Sequence, residues 1–369
     1  MKSTVNDVCR QLEVLAPRSL AEEWDNVGLM IGKGEWEVGK IMLALDLTSE
    51  VAAQALTCGV DMIVTHHPFF FSPLRSFCAD DDKIAIAYEM IKNRTAVYSA
   101  HTNLDSACGG VSDVLAEKLG LESLRVLKSE KREMYKFVIF VPTSCCEAVL
   151  AELRRVGAGR IGDYSDCAYV MEGKGYFRPL AGSSPFIGTN GVLEETEECR
   201  IEVLVDKDDL GKTVRAALKA HPYEEPAYDI FVTEKIQSDT GLGRVGVLPG
   251  TWALEAFALQ VKAKLGIDAV KVADAGRPVK KVALCGGSGA GLIFEAVGAG
   301  ADTLVTGDVK YHEAQEAIAL GLNVIDAGHQ ATELPILPKL QASLEAWAER
   351  EGRGLVILRA SEKALFAHY

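Results

Sequence analysis

Between residues 40 and 120 short apolar runs alternate with amphipathic stretches. The runs at 41–47, 61–65 and 96–100 read as strands, and the stretches at 49–57, 83–93 and 111–120 read as helices, with Ser49 at an N-cap position and a closing glycine at residue 120. The same rhythm returns near the C-terminus: strands at 281–285, 302–306 and 323–326, helices at 292–298 and 311–320, a long helix over 333–349 and a last strand at 355–359. Such alternation predicts parallel sheets with helical crossovers, in which ligands collect at the carboxyl ends of the strands. Val5, Val8, Leu12 and Leu15 share one side of a helix at the start of the chain.

The middle follows a different pattern. Strand, helix and strand at 135–141, 145–156 and 167–171 are followed by a second such set at 200–205, 210–220 and 228–233, with a Gly/Pro/Ser-rich segment, 173–191, between them. Two βαβ units around a hairpin predict a ferredoxin-like α+β domain. The fold class is therefore a duplicated α/β core, with helices around its sheets, interrupted by that insertion. The domains read as 1–124 for the first half of the core, 125–238 for the insertion and 239–369 for the second half.

The two halves also repeat a chemical pattern. Gly59-Val60-Asp61-Met62-Ile63-Val64-Thr65 runs into His66-His67-Pro68, and Gly300-Ala301-Asp302-Thr303-Leu304-Val305-Thr306 runs into Gly307-Asp308. A further apolar run then ends in His101 with Asp105 four positions on, or in His329 with Glu333 four positions on. Pro68 holds His67 extended and stops the strand, and adjacent strand residues face opposite ways, so both histidines reach one pocket only where the chain leaves the sheet. Taken singly, His-His-Pro is a satisfied strand end, and the carboxylates are helix caps. Together, three histidine-bearing strand ends with matching carboxylates point to a metal site. Mixed imidazole and carboxylate ligands favour Zn, Fe, Mn or Co over Ca or Mg. Two such ions side by side would generate hydroxide from water at neutral pH.

Weaker candidates lie nearby. Asp308 and His312 could serve as further ligands, as hydrogen-bond partners behind the ligands, or as substrate groups. In Cys285-Gly286-Gly287-Ser288-Gly289-Ala290-Gly291, the backbone at Gly287, Ser288 and Gly289 could cradle an anion at a helix start, or the loop could be a plain tight βα turn. The segment 68–82 is long enough for a lid or a packing arm. His221-Pro222-Tyr223-Glu224 reads as a rigid connector. No Ser-His-Asp or Cys-His signature stands out, so no catalytic residue is assigned.

Composition narrows the class. At 369 residues two domains are the natural expectation, and 48% hydrophobic with 25% charged residues describes a globular chain. A net charge of −13 opposes nucleic-acid or anionic-membrane partners. Nine cysteines without a CxxC spacing, and the vicinal pair Cys145-Cys146, predict reduced, mostly buried thiols. With no signal-peptide core and no apolar run of spanning length, a cytoplasmic protein is expected.

Trp24-Asp25-Asn26-Val27-Gly28-Leu29, Thr65-His66-His67-Pro68, His101-Thr102-Asn103-Leu104-Asp105, Gly286-Gly287-Ser288-Gly289, Gly307-Asp308 and Gly328-His329 with Glu333 together resemble the NIF-three-like family, also labelled GTP cyclohydrolase I type 2 homologues. The resemblance covers about 1–122 and 240–369. The insertion resembles the CutA/PII-like domain of the family's longer bacterial members, with His221-Pro222-Tyr223-Glu224 as its clearest mark. This resemblance implies a dinuclear centre of two divalent ions per chain on His66, His67, Asp105, His329 and Glu333, with His101 at a further motif position. It also implies a toroidal homohexamer, and hydrolytic opening of a purine ring by a metal-bound hydroxide. The alternatives are a non-enzymatic metal carrier or chaperone, or a regulatory hexameric scaffold.

Overall fold

A computed structural model describes residues 3–129, 134–161, 164–233 and 239–366. The chain divides into two compact units, one of residues 1–130 with 239–369 and one of residues 131–238. The predicted end of the insertion at 238 closes the stretch 234–238, which lies outside the described residues. Among the described residues no helix is long and apolar enough to cross a membrane.

The first unit is mixed α/β and holds two large sheets. In spatial order one has Val356–Arg359, Lys40–Ala44, Met62–Thr65, Ala96–Ser99 and Gly28–Ile31, parallel except for the last. The other has Lys271–Ala273, Asn323–Asp326, Thr303–Gly307, Val279–Ser288, Gly241–Trp252 and Glu122–Ser129, with only its three inner strands, from Asn323–Asp326 to Val279–Ser288, mutually parallel. Successive residues of a strand face opposite ways, and both faces are covered. Ile41, Leu43, Met62, Val64 and Tyr98 pack with Val8, Leu12, Leu344 and Trp347. Met42, Ala44, Ile63 and Val97 pack on the other side with Val51, Ala55, Ala87 and Met90. Full burial of each such large side chain contributes roughly 1.5–3 kcal/mol, which is why these strands read as continuous apolar runs.

The duplication extends to backbone details. Asp61 accepts the amides of Gly39 and Lys40, and Asp302 accepts those of Lys280 and Lys281. Lys40 and Lys281 each reach the carbonyl of the residue just before Gly59 or Gly300. The copies diverge at their strand ends. Ala100 and Ala327 both bond back to the neighbouring strand, at Thr65 and Thr306, but His101 follows Ala100 directly whereas Gly328 intervenes before His329. The two histidines are therefore not equivalent positions.

Several elements differ from the sequence expectation. The helix expected over 333–349 is two helices, His329–Glu333 and Ile336–Arg350, because Pro335 cannot donate to the turn before it. Glu122–Ser129 and Gly241–Trp252 are additional paired strands, so the first segment stays in the sheet past the boundary expected at 124. Their mostly exposed or glycine-rich sequences carry no apolar run. Of the nine free cysteines, only Cys199 and Cys285 are buried, which corrects the expectation of mostly buried thiols.

The second unit has one antiparallel sheet in the order Tyr228–Val232, Met134–Pro142, Glu194–Asp206, Ala168–Phe177. With helices Cys146–Arg155 and Lys207–Ala220, this is the split βαβ topology. Val149, Leu150, Leu153 and Ala217 pack on Phe137, Ile139, Ile201 and Val203. Two of the strands run further than the expected 167–171 and 200–205. His221 Nε2 donates to the Phe140 carbonyl and its Nδ1 accepts the Tyr223 amide, so this histidine is a fully used connector.

Candidate metal centre

The histidines and acids of the first unit meet at the carboxyl ends of its parallel strands. His66 and His67 follow Met62–Thr65 where the chain bends out of the sheet, and His101 and Asp105 follow Ala96–Ser99. From the other sheet come Asp308, just after Thr303–Gly307, and His329 and Glu333, after Asn323–Asp326. One ring nitrogen each from His66, His67 and His101 lie within 4.8 Å of one another, and so do ligand atoms of His67, His329 and Glu333. His67 belongs to both groups. Asp105 stands at the margin, its Oδ1 3.5 Å from His66 Nε2.

All four imidazoles are anchored in the same way. Nδ1–H donates to the Ala100 carbonyl from His66 (2.8 Å), to Asp46 from His67 (3.1 Å), to Asp25 from His101 (2.9 Å) and to Asp308 from His329 (2.7 Å). Each acceptor is an oxygen, so the proton sits on Nδ1 and the Nε2 lone pair is left free. Outer partners of this kind fix the tautomer and ring orientation of metal-binding histidines. Asp308 reaches His329 from a left-handed backbone, φ +57, a conformation that Asp tolerates better than most residues.

The inward atoms are short of partners. Nε2 of His66 and Oε2 of Glu333 are buried and make no hydrogen bond. Nε2 of His67 and Nε2 of His329 face each other at 3.2 Å, and both approach Glu333 at 3.1 Å. Two lone pairs in that position repel unless a metal ion or a proton lies with them. Free Nε2 positions, a shared carboxylate and orphaned buried atoms fit a divalent transition metal such as Zn, Fe, Mn or Co.

Protons and metal ions compete for these nitrogens. Burial pushes the His67 ring down, but Asp46 and Glu333 outweigh it and hold it up at about 10. Contact with Glu333 against the cost of burial holds His329 at about 9. Burial raises Glu333, but the surrounding imidazoles pull it well below the usual range, while burial and the Glu333 charge push Asp105 up. Since both histidines stand above their ordinary 6.5, the charged rings stabilise the fold fully below about pH 6.5. That contribution fades as pH rises through 9 to 10. Metal binding has the opposite dependence. Zinc uptake at pH 7 in weak buffer is expected to release about one to three protons per chain, and its affinity to fall about tenfold for each unit by which the pH is lowered, per proton displaced. Uptake without proton release, followed by a pH indicator, would contradict this protonation pattern.

The loop at Gly287 serves the cluster by its lack of side chains. Gly287 has φ +62, and a Cβ there would lie 2.3 Å from Glu333 Oε1. Its amide donates to Thr332, and that of Gly289 to Thr306, so these two amides are not free to cradle an anion. Ser288 is exposed beside them. His312 is exposed on Tyr311–Ala319, its ring edge-on to Tyr311 and apart from the cluster. Glu333 closes its short helix with its carboxylate among the imidazoles; it does not cap a helix start.

The sequence did not single out Asp25 or Asp46 as anchors. Asp25 also accepts from the Thr102 amide and hydroxyl, and burial, opposed by those bonds and His101, leaves it lowered to about 2. The signal for Asp46 was available: it is the lone acid at the strand end after the apolar Ile41–Leu45 run. Glu362 supports it by accepting the amides of Leu45 and Asp46.

Comparison with known proteins places the chain. The profile of the Duf34/NIF3 (NGG1p interacting factor 3) family matches residues 3–362. A Bacillus subtilis protein called GTP cyclohydrolase 1 type 2 homolog is 42% identical over 338 residues, 90% of this chain and 91% of that one. A namesake from Halalkalibacterium halodurans is 40% identical over 89% of this chain and 88% of its own. The crystal structure of a Bacillus cereus protein related to NIF3 matches with a TM-score of 0.78 at 38% identity, covering 99% of each chain. The chain is a member of the Duf34/NIF3 family.

Proposed function

We propose that this protein holds two divalent metal ions per chain, Zn, Fe, Mn or Co, and acts as a metal-dependent hydrolase on a nucleotide-like ligand. The observation that carries the reading is the set of four imidazoles, each tied back through Nδ1, three of which, His66, His67 and His329, turn Nε2 toward one buried carboxylate, Glu333. His66, His67 and His101 would hold one ion, with Asp105 beside them. His67 or His329 with Glu333 would hold the other, Glu333 lying between the groups. Bound there, the metals supply Lewis acidity and lower the pKa of water to near neutrality. The chain's own residues orient the ligands through Asp25, Asp46 and Asp308, and the buried Glu333 keeps a negative charge in place against the cations. The purine as substrate comes from the name of the relatives, GTP cyclohydrolase 1 type 2 homolog. The reading extends to a toroidal homohexamer in the cytoplasm, with the unit at 131–238 a CutA/PII-like insertion.

A second reading, a metal carrier, is favoured by the partial exposure of His329 (37%) and Asp308 (53%), which leaves one side of the cluster open for transfer. Incubating the metal-loaded protein with GTP separates the two. The hydrolase reading expects the purine absorbance to fall with release of formate, to stop on chelation and to resume with added metal. GTP left intact by protein that retains its metals would overturn it in favour of the carrier.

A further inference from the structure

We propose that Trp24 and Phe71 form a stacking platform for a planar heteroaromatic ring, of the purine class, at the mouth of the metal centre. The proposal rests on the metal-centre reading above and adds a subsite to it. Trp24 is 58% exposed and Phe71 53%, large apolar surfaces that water leaves unfavourably solvated. Their rings lie together, centroids 5.6 Å apart and planes 33° from parallel. Both meet the His101 ring edge-on, at 6.0 and 6.2 Å between centroids. A flat ligand resting on them would therefore border the imidazole cluster.

Both rings are held where they are. Asp25, next to Trp24, bonds to His101 Nδ1 and to the Thr102 amide and hydroxyl. Asn26 donates to the Phe70 carbonyl at 2.6 Å, which ties the Trp24 segment to the Phe71 segment. Neighbouring Phe69 is buried in the core, while the Phe71 ring lies outside it. The π faces select planar rings over aliphatic or extended ligands, because stacking on aromatic side chains needs only a flat partner. The adjacent carboxylates Asp25, Asp46, Asp105, Asp308 and Glu333 repel a bare polyanion, so a phosphate-bearing ligand needs both the stacked ring and the cations.

Isothermal titration of the zinc-loaded full chain with guanosine 5′-monophosphate, and with ribose 5-phosphate as the ring-less control, tests this, with zinc content and assembly state measured on the same samples. The wild type is expected to bind the nucleotide more tightly than the sugar phosphate. Trp24→Ala and Phe71→Ala should each weaken the nucleotide about fivefold or more, leave the sugar phosphate and the zinc unchanged, and Trp24→Phe should recover most of the loss. Equal binding of the two ligands, or nucleotide binding untouched by Trp24→Ala, overturns the platform while leaving the metal centre standing. Variants that change the assembly state without changing nucleotide affinity overturn it too, by assigning the rings to a contact between copies. Failure of the wild type to retain zinc would defeat the metal centre instead. The platform is then judged on that zinc-free protein by titration with uncharged guanosine against ribose, where binding of guanosine lost in Trp24→Ala supports it and no preference for guanosine overturns it.

Discussion

Arg244→Ala is expected to lower the melting temperature by about 10 °C or more. Arg244 is 3% exposed, and each of its N–H groups is used. Nε and Nη2 make a forked pair with Asp113 at 2.6 and 2.8 Å, Nη1 donates to the carbonyls of Gly241 and Gly243, and Nη2 reaches the carbonyl of Ala107. The side chain thus joins the strand Gly241–Trp252 to the helix Val111–Leu119 and to the end of the short helix carrying Asp105. Removing it leaves a carboxylate and three carbonyls without their buried donor. Losing one partner of a buried pair costs about 3–5 kcal/mol, a large part of the roughly 5–15 kcal/mol that holds a domain folded. Each kcal/mol corresponds to about 2–4 °C in a chain segment of this size. Arg244→Lys should fall between, since an ammonium cannot reproduce the fork. Circular dichroism melting of the three proteins decides it, and a loss under about 2 °C for the alanine variant would contradict the account.

Much of the first unit was legible because parallel strands buried on both faces leave apolar runs, and the two copies reinforce each other. Gly59-Val60-Asp61 and Gly300-Ala301-Asp302 mark the same helix end and the same carboxylate under a strand start. What stayed hidden follows from burial. Glu122–Ser129 is largely exposed, and Gly241–Trp252 spends its one buried charge, Arg244, on a contact with a residue 131 positions away, so neither carries a local apolar signature. The split at Pro335 was readable from the proline alone.

The candidate site was legible as residue types at strand ends, and less so as geometry. The spacing of His101 to Asp105 and of His329 to Glu333 suggested equivalent pairs. Yet Glu333 stands among three imidazoles, and Asp105 only at the margin beside His66. The copies differ there by a single extra residue, Gly328, between the strand end and the histidine. Asp25 and Asp46 act through long-range contacts with His101 and His67, 76 and 21 positions away, which no local pattern announces.

Glu333→Gln is expected to have the largest effect on the centre. The Glu333 carboxylate lies 3.5 Å from Nε2 of His66 and 3.1 Å from those of His67 and His329, and it is the only acid among the candidate ligands that approaches all three. Glutamine keeps the volume in this buried position, so the fold is retained while the shared negative charge is lost. Three imidazoles then face one another without the one carboxylate they share, Asp105 remaining only beside His66, and affinity falls steeply. Metal content of the purified protein by plasma mass spectrometry, wild type beside Glu333→Gln, decides whether these residues hold metal. The wild-type chain is expected to carry about two equivalents of Zn, Fe, Mn or Co, and the variant well under half of that. A wild type that binds no metal, even after reconstitution, or a variant that keeps both ions, would contradict the metal-centre reading.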